Sequence, residues 1–216
     1  MIKQISINPI HKTGKLASMG AFLSGVIYAI ILVIGLAKLA SPEETIQDPL
    51  FTILELLIII IATLMSVVMA TIHLNSPNEK KVNSLLSLIF MILLTGITTG
   101  VHFVILTLSH QNEFTGLSWT PLFLSYRWPS VAYALDILAW DFFFGLSMLF
   151  AAPIFKGDRL KLSIRILMFL SGGLSVAGLI GVGISNMQIR MIGVLGYAGL
   201  APIIFLLVAI LFNRGK

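Results

Sequence analysis

Long continuous runs of apolar residues alternate with short polar segments along the whole chain. A helix needs about 20 apolar residues to cross the hydrocarbon core of a bilayer. Six stretches reach that length, at residues 17–40, 50–73, 84–109, 129–153, 163–185 and 190–212. Because the runs are continuous and lack a period of two, they predict helices rather than the strands of a membrane barrel. The pattern therefore predicts an all-α integral membrane protein, a six-transmembrane-helix bundle that forms one domain over residues 1–216.

The amino-acid composition supports this class and excludes others. Hydrophobic residues make up 57% of the chain and charged residues 11%, against about 25% charged residues in an ordinary soluble domain. A soluble fold this apolar could not cover its own surface. The net charge of +5 does not indicate nucleic-acid binding, because no basic run exceeds two consecutive residues. The absence of cysteine excludes disulfides and thiolate chemistry.

The positions of lysine and arginine predict the orientation of the bundle. Eleven of them precede the first run, separate the second from the third, surround the hairpin between the fourth and fifth, or follow the sixth. These are Lys3, Lys12, Lys15, Lys80, Lys81, Lys156, Arg159, Lys161, Arg165, Arg214 and Lys216. Only Lys38, Arg127 and Arg190 fall on the other side. The positive-inside rule then predicts that both termini are cytoplasmic. The plain N-terminus and the small size favour the inner membrane of a prokaryote.

The connection over residues 110–128 is then external, and it is the longest one. Its segment 116–124 is too apolar for a loop that is free in water, and Trp119 and Trp128 have the amphipathic rings that prefer a membrane interface. Glu43, Glu44, Asp48 and Glu113 also fall on this side. We expect the connection to lie on the interface or to fold back over the bundle.

Rows of small residues predict close contacts between helices. In the fifth run Gly173, Ala177, Gly181 and Ser185 recur at steps of four, a spacing that lets two helix backbones approach. The first run has a similar row, and Gly193, Gly196, Gly199 and Pro202 are expected to loosen or bend the sixth helix. We expect these rows to pack helices within one molecule, and they also allow a homo-oligomer.

Four ionisable residues lie inside the predicted spans. They are Glu55, His102, Asp136 and Asp141, and such groups cost several kcal/mol in hydrocarbon unless they are paired or hydrated. At about 1.5 Å of rise per residue, the first three lie roughly 8–10 Å below the outer end of their helices, whereas Asp141 is near the midplane. The first three therefore share one layer, which predicts that they meet.

The helical faces give the same result. Tyr133, Asp136 and Trp140 share one face of the fourth helix, while Asp141 lies about 140° around it. One aspartate should line a cavity while the other pairs with a different helix. The sequence thus predicts an outward-facing polar pocket walled by the second, third and fourth helices, with ligand- or proton-binding residues Glu55, His102, Tyr133, Asp136, Trp140 and Asp141. Arg127, Arg190 and Lys38 would ring its mouth. The competing interpretation is that Glu55–His102 or Asp136–Arg127 are structural pairs that only fix the register of the helices.

Three classes of function stay open. The leading one is a protein that binds or translocates a small molecule, an ion or a proton. The second is an intramembrane enzyme acting on a lipid or another amphiphile, with His102 as the base. The third is a non-catalytic accessory or assembly subunit. Motifs for metal, phosphate or serine-hydrolase chemistry are missing, so we expect no metal and no cofactor. The predicted partners are the lipid bilayer and a small-molecule or lipid ligand.

Overall fold

The computed structural model describes residues 9–41, 44, 46–108, 111–114 and 116–214. Four residues used to predict the orientation and the external connection lie outside the described residues: Lys3, Glu43, His110 and Lys216. All regular structure within the described ranges is helical. Six of these helices are long and apolar enough to cross a membrane, which confirms the predicted number of candidate spans.

The first three spans are single helices: α1 (Pro9–Ala37), α2 (Leu50–Asn75) and α3 (Lys81–Leu108), the last preceded by the 3₁₀ turn Asn78–Lys80. A one-turn helix, α4 (Thr120–Phe123), lies in the next connection. The fourth span joins α5 (Val131–Ile137), a π-helical segment (Leu138–Phe143), α6 (Phe144–Ala151) and the 3₁₀ turn Ala152–Ile154. The fifth is α7 (Arg159–Gly183). The sixth joins α8 (Met187–Val194), a second π-helical segment (Leu195–Leu200) and α9 (Ala201–Arg214).

α1 begins at Pro9, whereas the first predicted span began at residue 17. The extra turns, from Pro9 onward, are held at the end of the bundle by polar side chains. His11 is hydrogen-bonded to Asn75 of α2 at 3.0 Å, and Lys15 donates to Asn213 of α9 at 3.0 Å. Hydropathy misses these turns because their residues are polar.

The helices run antiparallel along the chain, so the bundle has two chemically different ends. At one end, which we call the basic end, α1, α3 and α7 begin; its lysines and arginines are Lys12, Lys15, Lys80, Lys81, Lys156, Arg159, Lys161, Arg165 and Arg214. The opposite end, where those helices finish, has Glu44, Asp48 and Glu113 among its described residues, and we call it the acidic end. α1 packs on α2 and α9, α2 on α3, α3 on α6, and α7 on α6 and α8.

The close helix contacts use a different row of α7 than predicted. Gly181 is buried as expected, but Gly173 and Ser185 are exposed, and the buried row is Ser171, Gly172, Ser175 and Gly178. The predicted row is therefore turned by about one residue, or 100° of helix. At Gly172 the backbone of α7 packs against the backbone of α6, close to the carbonyl group of Gly145. These contacts pack helices within one molecule.

Two adjacent glycines of α7 give a matched test of this packing. A Cβ at position 172 would lie 2.6 Å from the carbonyl oxygen of Gly145, whereas a Cβ at 173 would meet no described atom within 4 Å apart from its chain neighbours and the nearby backbone of its own helix. We expect Gly172→Ala to destabilise the protein by about 1–3 kcal/mol, because backbone cannot move aside as a side chain does. Gly173→Ala should be neutral or slightly stabilising, since alanine is the better helix former. Thermal unfolding of the two purified variants measures the difference, and equal melting temperatures would contradict the α6–α7 contact.

The fourth and sixth spans each contain a π-helical segment that the sequence pattern did not predict. Pro202 gives a local reason for the second segment, because it has no N–H to donate to the carbonyl of Ala198 and its ring crowds that carbonyl. The two segments face each other through Trp140 and Tyr197, whose ring centroids lie 5.4 Å apart. π segments change which side chains face inward, and here they bring two large aromatic rings to the same interior wall.

The connection before the fourth span is only partly folded over the bundle. Its aromatic residues Phe114, Trp119 and Phe123 form a chain of edge-to-face contacts, but Trp119 and Phe123 stay exposed. Further along, the half-buried Tyr126 reaches in between α2 and α3. The chain thus folds back at Tyr126, while most of the segment 116–124 is exposed. The other alternative for that segment, a place on the membrane interface, stays a prediction.

Candidate ligand-binding site

A cavity of about 980 Å³ lies among α1, α2, α3 and the fourth and sixth spans. This volume is at the upper end of the ~300–1,000 Å³ usual for sites of small molecules. Its inner part is apolar, with walls that include Ile58, Ile61, Met65, Pro202 and Phe205. Toward the acidic end its lining becomes polar and reaches the exposed residues Gln47, Asp48 and Arg127. The cavity is therefore amphipathic and opens at the acidic end.

The polar part centres on three side chains from three helices. Glu55 of α2 and His102 of α3 are 4% and 6% exposed, and Nδ1 of His102 lies 2.9 Å from Oε2 of Glu55. On the other edge of the ring, Nε2 lies 3.6 Å from Oδ1 of Asp136 on α5. The structure therefore brings His102 within hydrogen-bonding or one-water reach of both Glu55 and Asp136, as their shared depth predicted. That these residues bind a ligand or a proton stays a prediction. Their common depth follows from their similar distance to the ends of their helices.

Tyr126 completes this cluster from the connection. Its hydroxyl lies 2.7 Å from Nδ1 of His102 and donates to Oε2 of Glu55 at 3.3 Å. Burial raises the pKa of the Tyr126 hydroxyl, and the negative charges of Glu55 and Asp136 raise it further. The phenol therefore stays protonated, and it holds Glu55 and His102 in place as a neutral group. The sequence predicted folding back as one alternative for this connection, but no pattern in it indicated that Tyr126 is the side chain that reaches Glu55 and His102.

Two buried polar atoms of the cluster have no hydrogen-bond partner among the described residues: Nε2 of His102 and Oδ1 of Asp136. Their separation of 3.6 Å exceeds a normal hydrogen bond. Both residues line the cavity. Both atoms are shielded from solvent, so the imidazole and the carboxyl group interact with each other across this gap.

The other predicted site residues divide into two groups. Tyr133, Trp140 and Arg127 line the cavity. Asp141 does not; it is fully buried and pairs with Arg190 of α8, as expected for the aspartate on the other face.

Arg190, which was predicted at the mouth, is only 3% exposed. Its Nε and Nη2 donate to Oδ2 of Asp141 at 3.1 and 2.8 Å, and its Nη1 donates to the Tyr133 hydroxyl at 3.1 Å. Gly178 and Gly193 allow this depth, because the backbones of α7 and α8 come close there. Lys38 is exposed beside a separate small hollow near Gly35. Of the three cations that were predicted at the mouth of the pocket, only Arg127 lines the cavity.

Sequence reasoning missed the aromatic character of the cavity. Besides Tyr133 and Trp140, the lining includes Tyr28, Phe51, Tyr126, Tyr197 and Phe205. Tyr28 belongs to the small-residue face of α1, and Tyr197 to the second π segment. Aromatic residues are common in membrane helices, and only the tertiary structure shows that these face one space.

The charges on the cavity are strongly unbalanced. Its described lining contains four carboxylates, on Glu44, Asp48, Glu55 and Asp136, and one guanidinium, on Arg127. With all four carboxylates ionised, the lining has a net charge of −3 when His102 is neutral and −2 when it is protonated, in a chain of net charge +5. In the described part of the chain, no three His, Asp or Glu side chains are arranged to hold a metal ion.

Searches of protein-family models, of curated proteins and of solved structures found no match to this chain. The class of the molecule is therefore set by its own features. It is an all-helical protein with six candidate membrane spans, compatible with a polytopic membrane protein, and it has an amphipathic cavity of about 980 Å³.

Proposed function

We propose that this chain is a polytopic membrane protein that binds a small amphiphilic cation in an outward-facing cavity. The observation that carries the proposal is the combination of net negative charge and aromatic rings at the open end with an apolar chamber behind them. A cation offsets the repulsion among the carboxylates. The faces of tyrosine and tryptophan rings also attract cations.

The apolar chamber accounts for the amphiphilic part of the ligand. Burial of apolar surface contributes about 25 cal/mol per Å², so a hydrocarbon or aromatic body beside Ile58, Met65 and Phe205 adds affinity that a bare inorganic ion could not gain. A metal ion or a proton alone would leave this part of the cavity without a role.

A one-sided site is favoured over a continuous transport path. Beyond the cavity, toward the basic end, the core is packed with fully buried apolar side chains, among them Val68, Met69, Met91, Met148 and Val208. The polar lining residues lie at the acidic end. This distribution supports binding from one side.

The orientation is part of the proposal. The basic end has most of the lysines and arginines, so the positive-inside rule predicts that it faces the cytoplasm and that the cavity opens outward. The inner membrane of a prokaryote stays a prediction from the sequence.

Single cysteines test this orientation cleanly, because the natural chain has none. We expect a membrane-impermeant maleimide to label Glu113→Cys in intact cells and to label Lys156→Cys only after the membrane is opened. Both positions are exposed. The reverse labelling pattern would place the cavity mouth in the cytoplasm and overturn the proposed orientation.

Ligand binding is tested with three probes that share a phenyl body: phenylpropylammonium, phenylpropanol and phenylbutyrate. Trp140 lines the cavity, so tryptophan fluorescence and titration calorimetry of the purified protein both report binding. We expect the cation to bind about tenfold or more tightly than the anion, which is 1.4 kcal/mol or more, with the alcohol between them. Equal affinities, or tighter binding of the anion, would contradict the proposal.

An intramembrane enzyme is the second candidate, and one observation favours it. Glu55 contacts Nδ1 of His102 at 2.9 Å, and both residues line the cavity. A carboxylate that orients an imidazole in this way is typical of a general base. If this is the function, membrane lipids incubated with the protein should change in mass, and His102→Asn should abolish the change. Unaltered lipids would contradict the enzyme candidate.

A further inference from the structure

The cavity also opens through its side wall, between α1 and the sixth span. Ala29 of α1 and Ala198 of the second π segment both line the cavity, and both are exposed. A residue that lines a cavity and also lies on the molecular surface marks a place where the cavity reaches the outside. We call this opening, bounded by Ala29 and Ala198, the side gap.

The side gap exists because α1 and the sixth span separate toward the acidic end. Nearer the basic end α1 packs on α9, and a Cβ at Gly25 would lie 3.6 Å from the ring of Pro202. Ala29 and Ala198 each lie one turn further toward the acidic end in this antiparallel pair. In the described part of the chain, α1 makes little or no backbone contact with the π segment or with α8. A space, rather than a helix contact, therefore flanks the cavity there.

The depth of the side gap places it against hydrocarbon rather than water. At about 1.5 Å of rise per residue, Ala29 and Ala198 lie roughly 12 and 16 Å from the acidic ends of α1 and α8. The hydrocarbon of one leaflet is about 15 Å thick, so the gap meets the acyl chains of the leaflet at the acidic end. Glu55 and Asp136 lie roughly 8 Å from the same end. The carboxylates are thus nearer to the lipid head groups, and the apolar gap lies below them.

We propose that the cavity binds a cationic, lipid-like amphiphile from this leaflet, with its head group beside the carboxylates and its hydrocarbon chain passing through the side gap into the bilayer. This inference rests on the proposed binding function and adds the class of ligand to it. The lining is negative whether His102 is neutral or protonated, so it favours a positive head group. Sites for small water-soluble ligands bury most of the ligand surface, whereas a chamber that is open to hydrocarbon accommodates a chain longer than itself.

Two variants that fill the side gap test this proposal in nanodiscs of a single phosphatidylcholine. Hexadecyltrimethylammonium and phenylpropyltrimethylammonium have the same head group, but only the first has a long chain that uses the gap. Ala29→Trp fills the gap from α1, and Ala198→Trp fills it from the sixth span. In each variant we expect the ratio of hexadecyl to phenylpropyl affinity to fall about tenfold or more. Because every sample has the same lipid, partitioning of the probes into the bilayer cancels between variants.

Ile27→Trp is the matched control. Ile27 is exposed but does not line the cavity, and it lies about 160° around α1 from Ala29. We expect its affinity ratio to equal that of the natural protein. An unchanged ratio in both gap variants would overturn the inference. Equal binding of phenylpropylammonium and phenylbutyrate by the natural protein would instead overturn the proposed function itself.

A photoreactive chain gives a direct readout on the natural protein. The probe is hexadecyltrimethylammonium with a diazirine at the middle of its chain, and mass spectrometry locates the labelled residues. We expect labelling at Ala29 or Ala198, and we expect excess phenylpropyltrimethylammonium to suppress it. Labelling confined to Met65 inside the chamber would show that the chain coils within the cavity. Labelling that the competitor leaves unchanged would show ordinary contact with the surrounding lipid, and either result would contradict a chain that passes through the gap.

Discussion

Asp141→Asn is expected to destabilise the protein by roughly 3–5 kcal/mol, because removing one partner of a buried ion pair leaves the other charge uncompensated. Asp141 is fully buried, and Arg190 donates to it through two nitrogens. The neutral amide keeps the shape of the side chain but removes its charge. Thermal and denaturant unfolding of the purified variant measure the loss, and Glu113→Gln, at an exposed position, is the control with unchanged stability.

A double variant identifies the cause of this loss. Asp141→Asn combined with Arg190→Gln removes both charges, so it should recover part of the stability that the single change loses. The two changes act on one contact and are expected to be non-additive. The contradicting result is additivity, in which the double variant loses as much stability as the two single variants lose together. In that case the ion pair does not hold α8 to the fourth span.

Asp136→Asn is expected to affect binding rather than folding. The residue lines the cavity, and its Oδ1 lies 3.6 Å from Nε2 of His102. The amide removes one unit of negative charge from the lining, and interactions with a charged group are typically worth about 1.5–3 kcal/mol. We therefore expect the affinity for phenylpropylammonium to fall by about 10- to 100-fold, with little change in the melting temperature.

Asp141→Asn is the matched comparison for this result. At temperatures where that variant is folded, its affinity for phenylpropylammonium should exceed that of Asp136→Asn, because Asp141 does not line the cavity. Binding that survives in Asp136→Asn but is lost in folded Asp141→Asn would move the working site to the Arg190 cluster.

The sequence alone determined the number of candidate spans and the layer of the polar cluster. Both follow from local quantities. Continuous apolar runs of fixed minimum length give the helices, and a constant rise per residue gives each side chain a depth. Glu55, His102 and Asp136 met in the structure because each lies at a similar residue offset from the acidic end, where α2 and α5 begin and α3 finishes, and equal offsets give equal depth.

Only the tertiary structure decided which groups face each other. The buried row of α7 is turned by one residue from the predicted one, Arg190 lies inside against Asp141 instead of at the mouth, and Tyr126 folds back onto His102. Hydropathy is almost uniform around these helices, so it cannot fix their rotation, which depends on the close approach of glycine backbones. The two π-helical segments shift the facing side chains further. The aromatic lining and the net negative charge of the cavity result from these rotations, and no local pattern in the chain encodes them.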